Sequence, residues 1–370
     1  MLIHYELSDG EYLTNLGILL IGTKRERSTL GTAPVIQAIR YDERGEKVWK
    51  NVWDDYTLSP VELVDAVHRG VPDFDESYEL PEGLLRSKVP AYDDSVVREL
   101  LVNALVHRPY TQRGDIFLML HPDRLEIVNV GRLPLGVTPE NVLHQSRRRN
   151  DGLARVFHDL GLMEREGSGF DMIYDRLLTS GRAAPVVTED ADSVRVVVHR
   201  RILHPGVIRL LAEVDQQHQL TQRERITLGI LAQSEGLSAE ALSNKLARHD
   251  DEALRPWVSR LVDFGIIMQS GRARGTLYFV APSLLRKTGL DSRTTLERIQ
   301  PHRLQALIAE DVGRYPDSAA SDIHRRVGGE VQSSVFRRAL KQAVDEGKII
   351  TRGERRWRRY YPPNSIAHKD

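Results

Sequence analysis

The run Arg98-Glu99-Leu100-Leu101-Val102-Asn103-Ala104-Leu105-Val106-His107-Arg108 has the apolar spacing of a helix and carries Glu99, Asn103 and His107 four residues apart. At 3.6 residues per turn these three stack along one face, while Leu100, Leu101, Ala104 and Leu105 bury the others. A carboxylate one turn from an amide suits a metal-nucleotide site. Glu99 can accept a proton from an attacking water, and the Asn103 carbonyl oxygen can hold Mg²⁺ beside a triphosphate. Taken alone, the triplet reads first as a half-exposed helix with ordinary surface polars.

Three further signals follow in order. Asp123-Arg124-Leu125-Glu126-Ile127-Val128-Asn129-Val130-Gly131-Arg132-Leu133-Pro134 reads as a strand running into a glycine-bearing turn. Arg147-Arg148-Arg149-Asn150 precedes a helix, and Glu164-Arg165-Glu166-Gly167-Ser168-Gly169-Phe170 leads into another, Met172 to Leu178. The last set places Gly167, Ser168 and Gly169 where backbone amides at a helix N-terminus can meet phosphate.

In this order the motifs resemble the GHKL-type ATPase domain, in the degenerate version found in bacterial Schlafen/AlbA-associated proteins labelled RecG-like or transcriptional regulators. The resemblance spans roughly residues 10 to 200. It implies a two-layer α/β sandwich with ATP between the helices and a mixed sheet. By position it makes Glu99 the general base and Asn103 the Mg²⁺ ligand. Asn129 is then at the adenine edge, Gly131 lets the backbone approach the base, and Gly167 and Gly169 wrap the phosphates. Two departures stand out. The family usually has Asp where this chain has Asn129, and an amide brings a donor as well as an acceptor, which loosens the preference for adenine over another purine. Gly131 is followed by Arg132-Leu133-Pro134 rather than by a second glycine. Nucleotide binding is expected, and hydrolysis is left open, with a weak ATPase as the most these residues offer.

His107 and Arg108 stand directly before Pro109, which favours a helix end there. His107 is either a phosphate or metal contact or a packing histidine near a helix C-terminus. Arg148, Arg149 and Asn150 are either part of a triphosphate clamp or a basic turn.

The 370 residues exceed one ordinary domain, and with 41% hydrophobic residues they can bury substantial cores. Fifty-two basic residues balance fifty-two acidic ones, so no global charge points to nucleic acid. The absence of cysteine removes disulfides, thiolate metal sites and cysteine catalysis, and fits a cytoplasmic protein. The apolar run Leu16 to Ile21 is far short of a membrane span, and no signal peptide precedes it.

Residues 1–85 carry little chemistry. Tyr12 to Gly22 reads as a short buried helix, Val35 to Tyr41 and Val48 to Val52 as a hairpin, and Ser59 as the cap of a helix from Pro60 to His68. In the resembled family this segment follows an AlbA-type domain, which is expected here from a partner protein or to be missing. Residues 86–204 are the expected GHKL-like domain.

Beyond Pro205 the organisation changes. Thr221 caps one helix, Leu237-Ser238-Ala239-Glu240 starts a second, and Asp250 to Phe264 is a third. Strands at 265–269 and 276–280 flank the basic turn Ser270-Gly271-Arg272-Ala273-Arg274-Gly275. Three helices and a two-stranded wing make a winged helix, at 205–285. The pattern recurs at 286–370, with helices Leu304 to Val312, Ala319 to Val327 and Ser333 to Glu346, then strands at 348–351 and 357–361. This second copy holds 18 Lys plus Arg against 11 Asp plus Glu. In its third helix Ser333, Ser334, Arg337, Arg338 and Lys341 share or neighbour one face suited to a major groove, and Arg355, Arg356, Arg358 and Arg359 around Trp357 suit phosphates or a minor groove. The other use of such modules is protein docking. In the first copy Asp250-Asp251-Glu252 would repel phosphate.

The expectation is an ATP- and Mg²⁺-binding regulator whose nucleotide site controls homodimerisation or DNA engagement by two winged helices. The alternative is a non-catalytic adaptor that docks a partner, for example in a phage-defence or toxin-antitoxin assembly. A P-loop helicase is excluded by the lack of a Gly-x-x-x-x-Gly-Lys-Ser/Thr run, and a nuclease by the lack of a tight acidic cluster.

Overall fold

The computed structural model describes residues 2–363 apart from 83–84, 146, 164–168, 204, 247–250, 272–275, 291–299, 329–330 and 355–356. For 80–82, 85–87, 144 and 251–253 it describes the backbone alone. The chain packs as two compact units, Met1–Pro205 with Asn244–His249, and Gly206–Ser243 with Asp250–Asp370.

Local signals start the first unit. Thr14 caps α1 (Asn15–Ile21), and reciprocal Thr23–Glu26 bonds cap α2 (Lys24–Thr29). The expected hairpin forms from β1 (Ile36–Tyr41) and β2 (Lys47–Trp53). Ser59 and Glu62 make a capping box on α3 (Pro60–Gly70). A separate two-stranded ribbon, β3 (Ser77–Glu82) and β4 (Leu85–Pro90), leads to α4 (Asp94–His107). Then come β5 (Ile116–Leu120), β6 (Arg124–Val130), α5 (Asp151–Asp159), α6 (Gly169–Thr179), β7 (Val186–Glu189) and β8 (Ser193–His199).

Six strands form one mixed sheet in the order β2-β1-β5-β6-β8-β7, in which β1 and β5 are parallel and the other neighbours antiparallel. Residues 1–85 and 86–204, expected as successive segments, therefore share one sheet. They share a core as well, since Ile36, Leu118 and Ile127 from the strands pack in one cluster with Val64 of α3, Leu101 of α4, Phe157 of α5 and Ile173 of α6. The register aligns Leu118 with Ile127 and Ile127 with Val196, so the inward row is apolar from strand to strand. Two residues further along β6, on the same face, comes Asn129 opposite Val194. Helix α4 is more deeply set than its amphipathic pattern suggests. Val96, Val97, Leu100, Leu101, Val102, Leu105 and Val106 are all buried, and so is Glu99.

In the second unit α7 (Pro205–His218) precedes α8 (Gln222–Ala232), which begins with the expected Thr221 cap in a capping box with Glu224. Strand β9 (Leu237–Ser238), α9 (Ala239–Lys245), α10 (Asp251–Asp263), β10 (Ile267–Ser270) and β11 (Leu277–Val280) follow, with the sheet in the order β10-β11-β9. Helix α11 (Pro282–Thr288) ends at Gly289, whose φ of +71° is the left-handed stop that glycine tolerates. The pattern then repeats as α12 (Pro301–Arg314), α13 (Ala320–Gly328), α14 (Ser333–Asp345), β12 (Ile350–Arg352) and β13 (Arg359–Tyr361). A bridge between Ser318 and Tyr360 stands where β9 stands in the first half. Both halves thus carry helices followed by a short antiparallel strand pair. In the second, Leu304, Ile308, Ile323, Phe336, Leu340 and Tyr360 close the core.

Candidate functional site

A cleft of about 990 Å³, counted to its open mouth, lies in the first unit between α4, the inner face of β6 and β8, the segment 131–148 and the start of α6. Its floor is apolar, with Leu100, Ala104, Ile127, Val194 and Val196. Its polar wall groups include Glu99, Asn103, His107, Asn129 and Arg148. An apolar slot with few convergent polar groups is the usual form of a small-molecule site.

The helical spacing brings the expected triplet to this cleft. Glu99 is only 5% exposed, and its Oε1 accepts from Asn103 Nδ2 at 3.1 Å. The amide nitrogen of Asn103 is therefore the engaged end, and its oxygen is the end left to meet a cation. Helix α6 begins against this pair. A Cβ on Gly169 would lie 2.0 Å from Glu99 Oε1 and 3.5 Å from Asn103 Nδ2, so any larger residue there has to move the Glu99 carboxylate. One turn beyond Asn103, His107 lines the cleft with Nδ1 buried and without a hydrogen-bond partner among the described residues. Burial first, then the positive charges of Arg149 and Arg148, pull its pKa down to about 4, so the imidazole is neutral at neutral pH.

Asn129 crosses from the sheet to α4. Its Nδ2 donates to Ala104 O at 2.8 Å, while its Oδ1 is buried with no partner among the described residues. A buried acceptor left unmatched costs free energy unless a ligand meets it. At the strand end, Gly131 has φ +84° and donates its N–H to Asp192 O at 2.7 Å. A Cβ there would meet Pro109 Cγ at 2.5 Å, so glycine is required by the turn and by Pro109 rather than by approach to a base alone.

The basic run divides by role. Arg147 donates to Leu135 O at 2.7 Å and Arg149 to Arg132 O at 2.6 Å, so both clamp the segment after Gly131. Arg148 lines the cleft. Asn150 does not. Its Nδ2 donates to Val106 O and Arg108 O, each at 2.7 Å, and it serves as a brace on the last carbonyls of α4. Arg108 is likewise structural, fully buried and donating to the carbonyls of Gly114 and Thr32. Gly167 and Ser168 lie outside the described residues.

Sequence reasoning missed Arg132 and Gln145 in the cleft wall. Arg132 pairs with Glu189 at 2.8 Å, and the same carboxylate oxygen accepts from Leu133 N–H at 3.2 Å, which ties the segment to β7. No local signal links residues so far apart in the chain.

In the second unit Ser333, Ser334, Arg337, Arg338 and Lys341 are exposed along α14, opposite buried Phe336, Ala339, Leu340 and Ala343. Arg358 is exposed and Arg359, in β13, is half-buried, and Arg355 and Arg356 lie outside the described residues.

Residues 114–198 match the family model described as "Putative ATP-dependent DNA helicase recG C-terminal", and this part of the chain is an ATPase-like domain. The matched stretch begins after α4 and takes in Asn129, Gly131, Arg148 and Gly169. No curated protein matches the chain. Among solved structures, the DIP2311 protein from Corynebacterium diphtheriae is similar in fold, with a TM-score of 0.63 at 21% identity over 77% of this chain. The chain spans 57% of the length of that protein's chain. Among the described residues no helix is long and apolar enough to cross a membrane.

Proposed function

We propose that the cleft binds a purine nucleotide, ATP above others, with Mg²⁺, and that the second unit binds DNA through two winged helices whose dimerisation or DNA engagement responds to the nucleotide. The observation that carries the nucleotide reading is Asn129. Its donor end is committed to Ala104 O, so it meets a ligand as an acceptor, which matches the exocyclic amino group of adenine. The acceptor end of the amide supports adenine over a purine that presents an acceptor at that position.

The other residues fit the same ligand. The apolar floor suits a base, and Arg148 at the wall suits phosphate. Among the described residues no three His, Cys, Asp or Glu side chains cluster as a metal cage. Asn103 Oδ1 would hold the Mg²⁺ together with phosphate oxygens and water, the usual arrangement for this ion, which offsets phosphate charge when bound. Glu99, held by Asn103, is the group placed to take a proton from water.

DNA binding is supported by the basic outer face of α14 and by the charge surplus of residues 286–370. Gel-shift titration over salt, with and without Mg-ATP, tests the whole reading. A steep fall of affinity with salt, at a midpoint that ATP moves, supports it. Binding of no DNA at low salt would favour the adaptor reading, in which the modules dock a protein.

A further inference from the structure

His107 lines the cleft, yet its buried Nδ1 has no hydrogen-bond partner among the described residues, the same condition as Asn129 Oδ1. The fold sets the two side chains in one corner. Asn129 is bonded to Ala104 O, one turn before His107 on α4, and Gly131 stands against Pro109, just after it. The end of β6 therefore runs along the end of α4, and its two contacts bracket His107. Neighbouring groups are already engaged. Ala104 O accepts from Arg108 N–H at 3.2 Å as well as from Asn129, and Arg149, whose charge acts on the ring, donates to Arg132 O. The imidazole is uncharged at neutral pH, so it has one N–H and one lone pair. A histidine that served packing alone would leave a buried polar atom unmatched, a state that native folds avoid.

Resting on the nucleotide reading above, we infer that His107 is a specificity-determining residue for the base, donating from Nδ1 to the purine ring nitrogen that flanks the amino group taken by Asn129. Adenine supplies the match. Beside its exocyclic amino group stand N1 on one edge and N7 on the other, and both are acceptors. Guanine puts a carbonyl oxygen in place of the amino group, against the acceptor end of Asn129. Together the two side chains read a donor next to an acceptor, which is narrower than a purine in general.

The test is titration calorimetry of the full chain, in Mg²⁺, with ATP, 1-deaza-ATP and 7-deaza-ATP on the wild type, His107→Phe and His107→Asn. Each deaza analogue replaces one ring nitrogen by C–H and keeps the amino group. The wild type is expected to bind one of the two analogues about fivefold more weakly than ATP, the loss of one neutral hydrogen bond, and the analogue concerned names the edge. His107→Phe, which keeps a ring but has no donor, is expected to bind ATP and that analogue alike. His107→Asn, whose amide N–H stands near the place of Nδ1, is expected to restore the preference. Each ratio compares two ligands on one protein, so a change in the stability of the fold cancels. Equal affinity of the wild type for all three ligands overturns the inference and leaves the nucleotide reading intact, and so does the same preference in wild type and His107→Phe. Absence of ATP binding to the wild type overturns both.

Discussion

Asn129 donates its side-chain N–H to Ala104 O at 2.8 Å, joining the inner face of β6 to the third turn of α4 across the cleft. The bond fixes which end of the amide faces a ligand. A carboxylate at this place would set a second acceptor against the Ala104 carbonyl.

Asn129→Asp is accordingly expected to lower stability by about 1–3 kcal/mol at neutral pH, since two buried acceptors would meet with no proton between them. Urea denaturation measures it. A variant as stable as the wild type would show that the bond does not hold the amide.

Gly169→Ala is expected to cost about 1–3 kcal/mol, because its Cβ has to displace the buried Glu99 carboxylate that lies 2.0 Å away. The same variant should weaken nucleotide binding by parting Glu99 from Asn103. Wild-type stability and binding together would mean that α6 starts elsewhere.

Asn150 and Arg148 separate a brace from a ligand contact. Asn150→Ala removes two bonds to the end of α4 and is expected to lower the melting temperature through a loss of about 1–2 kcal/mol. Arg148→Ala is expected to weaken ATP binding about tenfold, the cost of one charged contact, whereas Asn150→Ala acts on binding only through the end of α4. The opposite pattern in calorimetry and thermal melts would reverse the two roles.

His107 gives a dependence on pH. Burial takes its pKa from the ordinary 6.5 down to about 4 in the folded chain, so the unfolded chain binds the proton more tightly. Stability present above about pH 6.5 should decline as the pH falls and be lower by up to about 3 kcal/mol near pH 4. His107→Gln, which cannot titrate, should lose less over that window. A gap between the two proteins that stays constant from pH 7 to about 4 would contradict the buried, neutral imidazole.

Much of the fold is legible because its signals are local. Ser59 with Glu62 and Thr221 with Glu224 are capping boxes written within four residues of sequence, and the spacing of Glu99, Asn103 and His107 places them on one face without any tertiary information. The same holds in the second unit for α8 to α10, α12 to α14 and the two strand pairs, while α7, α11 and β9 go unread. What sequence does not declare is long-range. The parallel pairing of β1 with β5 joins segments about eighty residues apart, and nothing in their alternation names the partner. Asn150 reads as a clamp residue in the basic run, yet its role is set by carbonyls of Val106 and Arg108 that only the folded chain brings near. Glu99 is legible as a polar member of its helix face, but its burial and its closeness to Gly169, seventy positions later, belong to the folded chain.

Titration calorimetry of Mg-ATP into the wild type and Asn103→Ala tests the nucleotide site most directly. Saturable binding in the wild type, dependent on Mg²⁺ and weakened about tenfold or more in the variant, is the expected result. Absence of binding to the wild type at millimolar ATP, or equal affinity in both proteins, would contradict the assignment of the cleft and of Asn103 within it.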